Sequence, residues 1–251
     1  MKSKLFVSVL MILGSTSANA SALVEKNDET GVVRFISQLN FSGPGLNSEN
    51  GRQAAEEISR MWNEPHAKVM IGNRVYQSEF VISYTLNRDV PWLEFQSCGE
   101  NKIVIKNLKS SDDRSSYGLD GSKGTFYTSD DLGHSTTAAH EYGHGLGLNH
   151  NEFNQIAAPI PGIMFPRGTL VARRYQYNPN AAPGDTGDTI NPIFRHVLAE
   201  DIAHINLSQI RFILGYGCVG NGAPLPIAAQ NVIPVFKTRN QRLVEGSGYE
   251  I

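Results

Sequence analysis

The sequence predicts an α+β protein, and three observations carry that reading. Strand-like runs with β-branched residues recur through the first half of the chain. One amphipathic helical stretch interrupts them, and a second helix follows that carries a cluster of histidines. Beyond that helix the chain turns irregular, with prolines at 159, 161 and 166, and regains helical spacing only near its end.

The elements follow in order. Val32 to Phe41 (VVRFISQLNF) alternates in part and reads as a strand, closed by the turn Phe41-Ser42-Gly43-Pro44-Gly45. Asn47 or Ser48 then opens a helix to about Trp62. Its apolar residues Ala54, Ala55, Ile58, Met61 and Trp62 share one face, and Pro65 prevents continuation. Lys68 to Tyr84 holds one or two strands, interrupted near Gly72-Asn73. Lys102 to Leu108 (KIVIKNL) is a further strand. Ser110 to Gly124 is polar and reads as a loop, and Gly124 to Thr128 is short and extended. Ser135 or Thr136 is placed to cap the histidine helix. Tyr177 to Pro192 is a long Asn, Asp, Gly and Pro-rich loop, and a last helix is expected from about Ile193 to Ile213. Residues 219 to 251 show no clear period and read as a tail or packing arm.

Length and composition narrow the function. The first twenty residues have a basic start (Lys2, Lys4), an apolar run from Leu5 to Leu13 and an Ala18-Asn19-Ala20 cleavage site, the pattern of a secretory signal. That run is too short to span a bilayer as a helix, and no later stretch is long and apolar enough. The expected destination is periplasmic or secreted. Loss of Lys2 and Lys4 with the leader takes the formal charge from −2 to −4, which gives no nucleic-acid footprint. Cys98 and Cys218 are the only cysteines. In an exported protein they are either a disulfide or two separate buried thiols. Residues 21–31 form a short N-terminal segment before the first strand.

The chemistry lies in His140-Glu141-Tyr142-Gly143-His144-Gly145-Leu146-Gly147-Leu148-Asn149-His150, which reads H-E-x-x-H-x-x-G-x-x-H without mismatch. Residues i and i+4 lie on one helix face, so His140 and His144 aim two imidazoles at one point. Glu141 sits beside that point without ligating. Gly147 accepts the left-handed conformation that ends helices, after which His150 returns from outside the helix. Three neutral nitrogens leave the fourth position of a tetrahedral Zn²⁺ open, the arrangement of a catalytic site. Glu141 is then the general base towards the attacking water.

This motif resembles that of the metzincin zinc peptidases. Gly162-Ile163-Met164-Phe165-Pro166, fourteen residues past His150 at Met164, is similar to the family's Met-turn. Leu198 to Ile205, running on to Leu214-Gly215-Tyr216-Gly217, resembles the C-terminal helix of the matrixin group. Asn151 stands where matrixins usually carry serine. Pro166 stands where astacin-like and serralysin-like enzymes carry a tyrosine ligand.

The resemblance implies a twisted mixed sheet with the active-site helix in an N-terminal subdomain. A smaller irregular C-terminal subdomain ends in a helix, and together they occupy 32–217, with 218–251 as a tail. It implies a monomeric zinc endopeptidase acting on protein or peptide substrates. Its substrate would pair with an edge strand at Gly124 to Thr128, above a pocket walled by Met164 to Thr169. Arg167 would either tune that pocket or sit on the surface. The acidic groups at Asp112-Asp113, Asp120, Asp130-Asp131 and Asp185 to Asp188 would be structural Ca²⁺ ligands or solvated loop residues. Glu25, Asp28 and Glu29 would belong to an unstructured terminus, or one of them would lie on the zinc and hold the enzyme latent. The alternative of a different class is a zinc-bearing binding or adhesion protein on the same scaffold.

Overall fold

The chain begins, in the computed structural model, with strand β1 (Ala20–Asn27); residues 20–87, 98–107, 110, 113–150, 160–220 and 242–243 are described. β1 turns at Asn27, whose side chain accepts from the amides of Glu29 and Thr30, and pairs antiparallel with β2 (Val32–Ser42). β2 alternates at its start and is buried on both faces from Ser37 to Phe41. That is the pattern of a strand with parallel neighbours and a layer on each side. The turn after β2 leads to helix α1 (Ser48–Asn63). Asn47 caps it: its Oδ1 accepts from Glu49 N and Asn50 N, while Asn50 Oδ1 accepts from Asn47 N in return. Ala54, Ala55, Ile58, Met61 and Trp62 are buried, the face read from the spacing.

The hairpin β3 (Lys68–Ile71) and β4 (Arg74–Leu86) follows, then β5 (Glu100–Lys106), β6 (Ser116–Tyr117) and β7 (Lys123–Tyr127). The sheet order is β3-β4-β2-β5-β7-β6, with β2 parallel to β4 and β5, β5 parallel to β7, and β6 antiparallel to β7. Along one edge of β2, β1 takes residues 32–36 and β5 takes 38–42, so the sheet forks there. α1 packs on one face, where Phe35 and Phe80 stack at 4.6 Å and Trp62 lies 5.3 Å from Phe80. The α+β class expected from the sequence is the class observed.

Helix α2 (Thr137–Gly145) sits beside α1; Trp62 Nε1 donates to Ala139 O, and Tyr142 meets Trp62 edge-on and shares a hydrogen bond with Ser37. Past α2 come a 3-10 turn at Arg173–Tyr175, another at Pro192–Phe194, helix α3 (Ala199–Ala203), a third 3-10 turn at Leu207–Gln209, and β8 (Tyr216–Gly220). A short β9 (Arg242–Leu243) pairs with β4.

Four expectations need correction. The single helix expected over Ile193–Ile213 is a 3-10 turn, a five-residue helix and a second 3-10 turn. His196 leaves the helical path to bridge Gly162, its amide donating to Pro161 O. The boundary at 217 falls inside β8, which pairs antiparallel with β1, so 218–220 belong to the sheet and not to a tail. Residues 21–27 are neither an unstructured terminus nor a plug: β1 lies between β2 and β8. Finally, the polar stretch 110–124 contains β6. Residues 1–19 of the expected leader, the rest of the expected tail (221–241, 244–251) and Asp112 lie outside the described residues.

Cys98 and Cys218 form a disulfide, Cα atoms 5.7 Å apart, that ties the start of β5 to β8 beside Leu23. No helix among the described residues is long and apolar enough to cross a membrane.

Candidate metal centre

α2 opens without help from its own N-cap. Thr136 is left-handed (φ 63°) and its side chain makes no capping bond. It hydrogen-bonds the Pro192 carbonyl instead and accepts from Arg195 Nε. Glu57 of α1 replaces the cap: its Oε1 accepts from Ala139 N at 2.9 Å. The other end closes as the sequence predicts. Gly147 has φ 89°, Gly147 N donates to His144 O, and Leu148 N donates to Gly143 O, the paired bonds of a Schellman motif. Gly143 is required for close approach, since a Cβ there would run into Met164 Sδ. Met164 is buried against α2 at Gly143.

The three histidines converge. His140 Nε2 and His144 Nε2 stand 3.1 and 3.2 Å from His150 Nε2. Among the described residues their ligand atoms form one group within 4.8 Å of one another. Nitrogens about 2.0–2.1 Å from a single ion at tetrahedral angles stand about 3.3–3.4 Å apart, so the trio fits zinc. Backbone carbonyls fix the orientation of the two helical ligands. His140 Nδ1 donates to Ile163 O at 2.6 Å and His144 Nδ1 to Leu148 O at 2.7 Å, which leaves both Nε2 lone pairs for a metal. Burial pushes His140 well below its ordinary 6.5 and pushes His144 and His150 down as well, so all three are neutral, as ligands must be.

Glu141 is buried and opens into the same cavity of about 200 Å³ as His140 and His150. Burial raises its carboxyl to about 8, with Asp130 pushing the same way and Arg195 and Arg167 opposing. A dication beside it draws it back towards the ionised form. The chain therefore brings together all four residues of the motif that were expected to act.

Other expectations divide. Pro166 and Arg167 line the cavity, while Phe165 turns into a separate cluster with Val171 and Ile190. Arg167 is half-exposed yet held, by an ion pair of 3.0 Å to Asp130 and a bond to Thr137 Oγ1. Gly124 to Thr128 is an edge only in part: Gly124 and Thr125 pair with Tyr117 and Ser116 of the two-residue β6, and no strand among the described residues pairs with β7 beyond Thr125 on that side. Gly124 permits this because the Tyr117 ring covers the place a Cβ would occupy. Arg114 and Ser115, just before β6, face the cavity, and Asp130 holds Ser115 through both its amide and its hydroxyl. Of the acidic groups read as calcium ligands, Asp185 and Asp188 accept amides of their own loop. Glu25 bonds Arg34 and Tyr216, and Asp28 bonds Lys26 and Tyr76, so neither reaches the histidines. His134 pairs with Asp131 and His196 with Glu64, away from the site.

Sequence reading missed Arg195 and Glu57, and took Asp130 for a calcium ligand or solvated loop residue, whereas it is buried and bonds Ser115 and Arg167. Each is a single polar residue inside a stretch with no motif of its own, and only the fold brings them to α2.

No protein-family profile and no curated protein matches this chain. Among solved structures it is similar to archaemetzincin from Archaeoglobus fulgidus, at 13% identity over 53% of this chain and 88% of that one, with a TM-score of 0.31. It is similar to high choriolytic enzyme 1, a hatching enzyme zinc-protease from Oryzias latipes, at 14% over 73% and 92%, with a TM-score of 0.35. It is also similar to myroilysin, at 14% over 87% and 99%, with a TM-score of 0.29.

Proposed function

We propose that this chain is an exported zinc-dependent endopeptidase of the metzincin kind. One observation carries the reading: three Nε2 atoms stand at zinc-ligand spacing, and two of their histidines, His140 and His150, line a cavity with the buried Glu141. His140, His144 and His150 would hold the ion. Bound zinc supplies Lewis acidity and a water of near-neutral pKa. Glu141 accepts the proton of the attacking water and returns it to the leaving amine, because its carboxyl faces the cavity and its burial keeps it basic. The pocket wall at Pro166–Arg167 and the outer edge of β6 would hold the substrate, extended, by strand addition. The signal-like start and the Cys98–Cys218 bridge support export to an oxidising compartment. Within the metzincins the matrixin group remains the proposed relation, resting on Leu198 to Ile205 and Leu214 to Gly217.

The test is a peptide library incubated with purified protein, with and without chelator, beside Glu141→Gln. Both proteins should carry one zinc per chain. The wild type should cleave, the chelator should stop it, and the variant should lose on the order of a hundredfold or more. Zinc-loaded wild type that cleaves no peptide would overturn the reading in favour of a binding protein.

A further inference from the structure

Arg195 is an unusual side chain to find where it is. It is 1% exposed, among the largest fully buried groups of the molecule, yet no carboxylate among the described residues lies within ion-pair distance of it. Its hydrogen bonds go to neutral acceptors, Nε to Thr136 Oγ1 and Nη1 to Phe165 O. Glu57 and Glu141 lie close enough to favour its charge but not to pair with it, and Arg167 opposes it. A buried cation without a paired anion is strongly disfavoured, and a neutral amide would serve the same two acceptors. The guanidinium lines the Glu141 cavity. Arg167 and Arg195 line that cavity with Asp130 and Glu141. Asp130 is already committed to Arg167 and Ser115. A zinc ion would add two further positive charges.

The geometry points to Arg195 as a specificity residue that receives a carboxylate of the substrate next to the reacting bond. Its planar fork with donors still unused suits a carboxylate, which accepts two parallel N–H bonds. An amide of equal size can accept only one of them and brings no charge. Two sources share this chemistry: an Asp or Glu side chain within a peptide, and a free C-terminal carboxylate. This inference rests on the peptidase reading for its substrate class, but not for the charge of the pocket.

The experiment uses matched peptides in which one position near the cleavage site is Glu or Gln, scanned through both sides of the bond. A second set has the C-terminus free or amidated. Binding is measured on zinc-loaded Glu141→Gln protein, and cleavage on the zinc-loaded wild type. The expected result is Glu over Gln, or free over amidated terminus, by ~10–100-fold in affinity at one position. Whichever set shows the preference identifies the source of the carboxylate. Adding Arg195→Gln should erase the preference, and Arg195→Lys, which keeps the charge but not the fork, should keep only part of it, whereas a purely structural arginine would change both members of a pair equally. If Arg195→Gln does not fold, the acid-over-amide ratio of the parent protein still decides. Equal binding of acid and amide peptides at every position overturns the inference. Selective binding without cleavage would instead refute the peptidase reading and leave the carboxylate site standing.

Discussion

Replacing Glu57 by alanine removes the side-chain acceptor that caps the metal-bearing helix. α2 has nine residues, its N-cap Thr136 is left-handed, and Glu57 Oε1 supplies the acceptor that Ala139 N needs. Losing an N-cap acceptor costs about 0.5–2 kcal/mol, and leaving a buried amide unsatisfied adds about 1–3 kcal/mol. These overlap in one bond, so the expected loss is about 2–3 kcal/mol, or roughly 4–12 °C in Tm for a chain of this size. Glu57→Gln separates the bond from the charge. Burial raises the Glu57 carboxyl above its ordinary 4.5, with the Ala139 and Gly133 amides, Arg60 and Arg195 opposing. A raised folded pKa gives stability that is fully present below 4.5 and is lost as pH rises through the folded value. Glutamine keeps the acceptor and does not titrate, so Glu57→Gln should gain on the wild type as pH climbs above 4.5. Urea unfolding of the three proteins from pH 4 to pH 8 reads this directly. The reasoning fails if Glu57→Ala lies within about 0.5 kcal/mol of wild type, or if Glu57→Gln is as damaged as Glu57→Ala.

Two further outcomes concern the frame. Gly143→Ala should push Met164 out from under α2, costing about 1–3 kcal/mol of stability and lowering zinc affinity as His140 shifts, to be measured by competition with a chelating dye. Reducing Cys98–Cys218, which closes a loop of sequence separation 120, should lower stability by about 2–4 kcal/mol; thiol titration of unfolded, unreduced protein should find no free thiol, and two per chain would contradict the bridge.

The sequence made the motif legible because its spacing is a local property. His140 and His144 share a helix face wherever that helix sits, and Gly147 ends it by its own conformational freedom. α1 was equally legible, from Asn47 to its buried stripe. The failures share a different cause. Whether Ile193–Ile213 propagates as a helix depends on His196 finding Gly162, and how much of β7 stays an edge depends on Tyr117 lying over Gly124. Arg195 and Glu57 approach α2 through long-range packing that leaves no periodic trace in the chain. β1 was misjudged because strand partners at 32–36 and 216–220 are chosen by the fold, not by its own residues.

The carbonyls that orient His140 and His144 belong to the backbone, at Ile163 and Leu148. No side-chain replacement at those two positions can delete the acceptor, so the tautomer of each ligand is insulated from ordinary substitution there. What the ligands do register is the route of the main chain. An insertion or deletion that displaces residue 163 would turn the His140 ring without touching any histidine. Loop length, rather than residue type, is therefore the variable through which this centre would be retuned or lost as the sequence diverges.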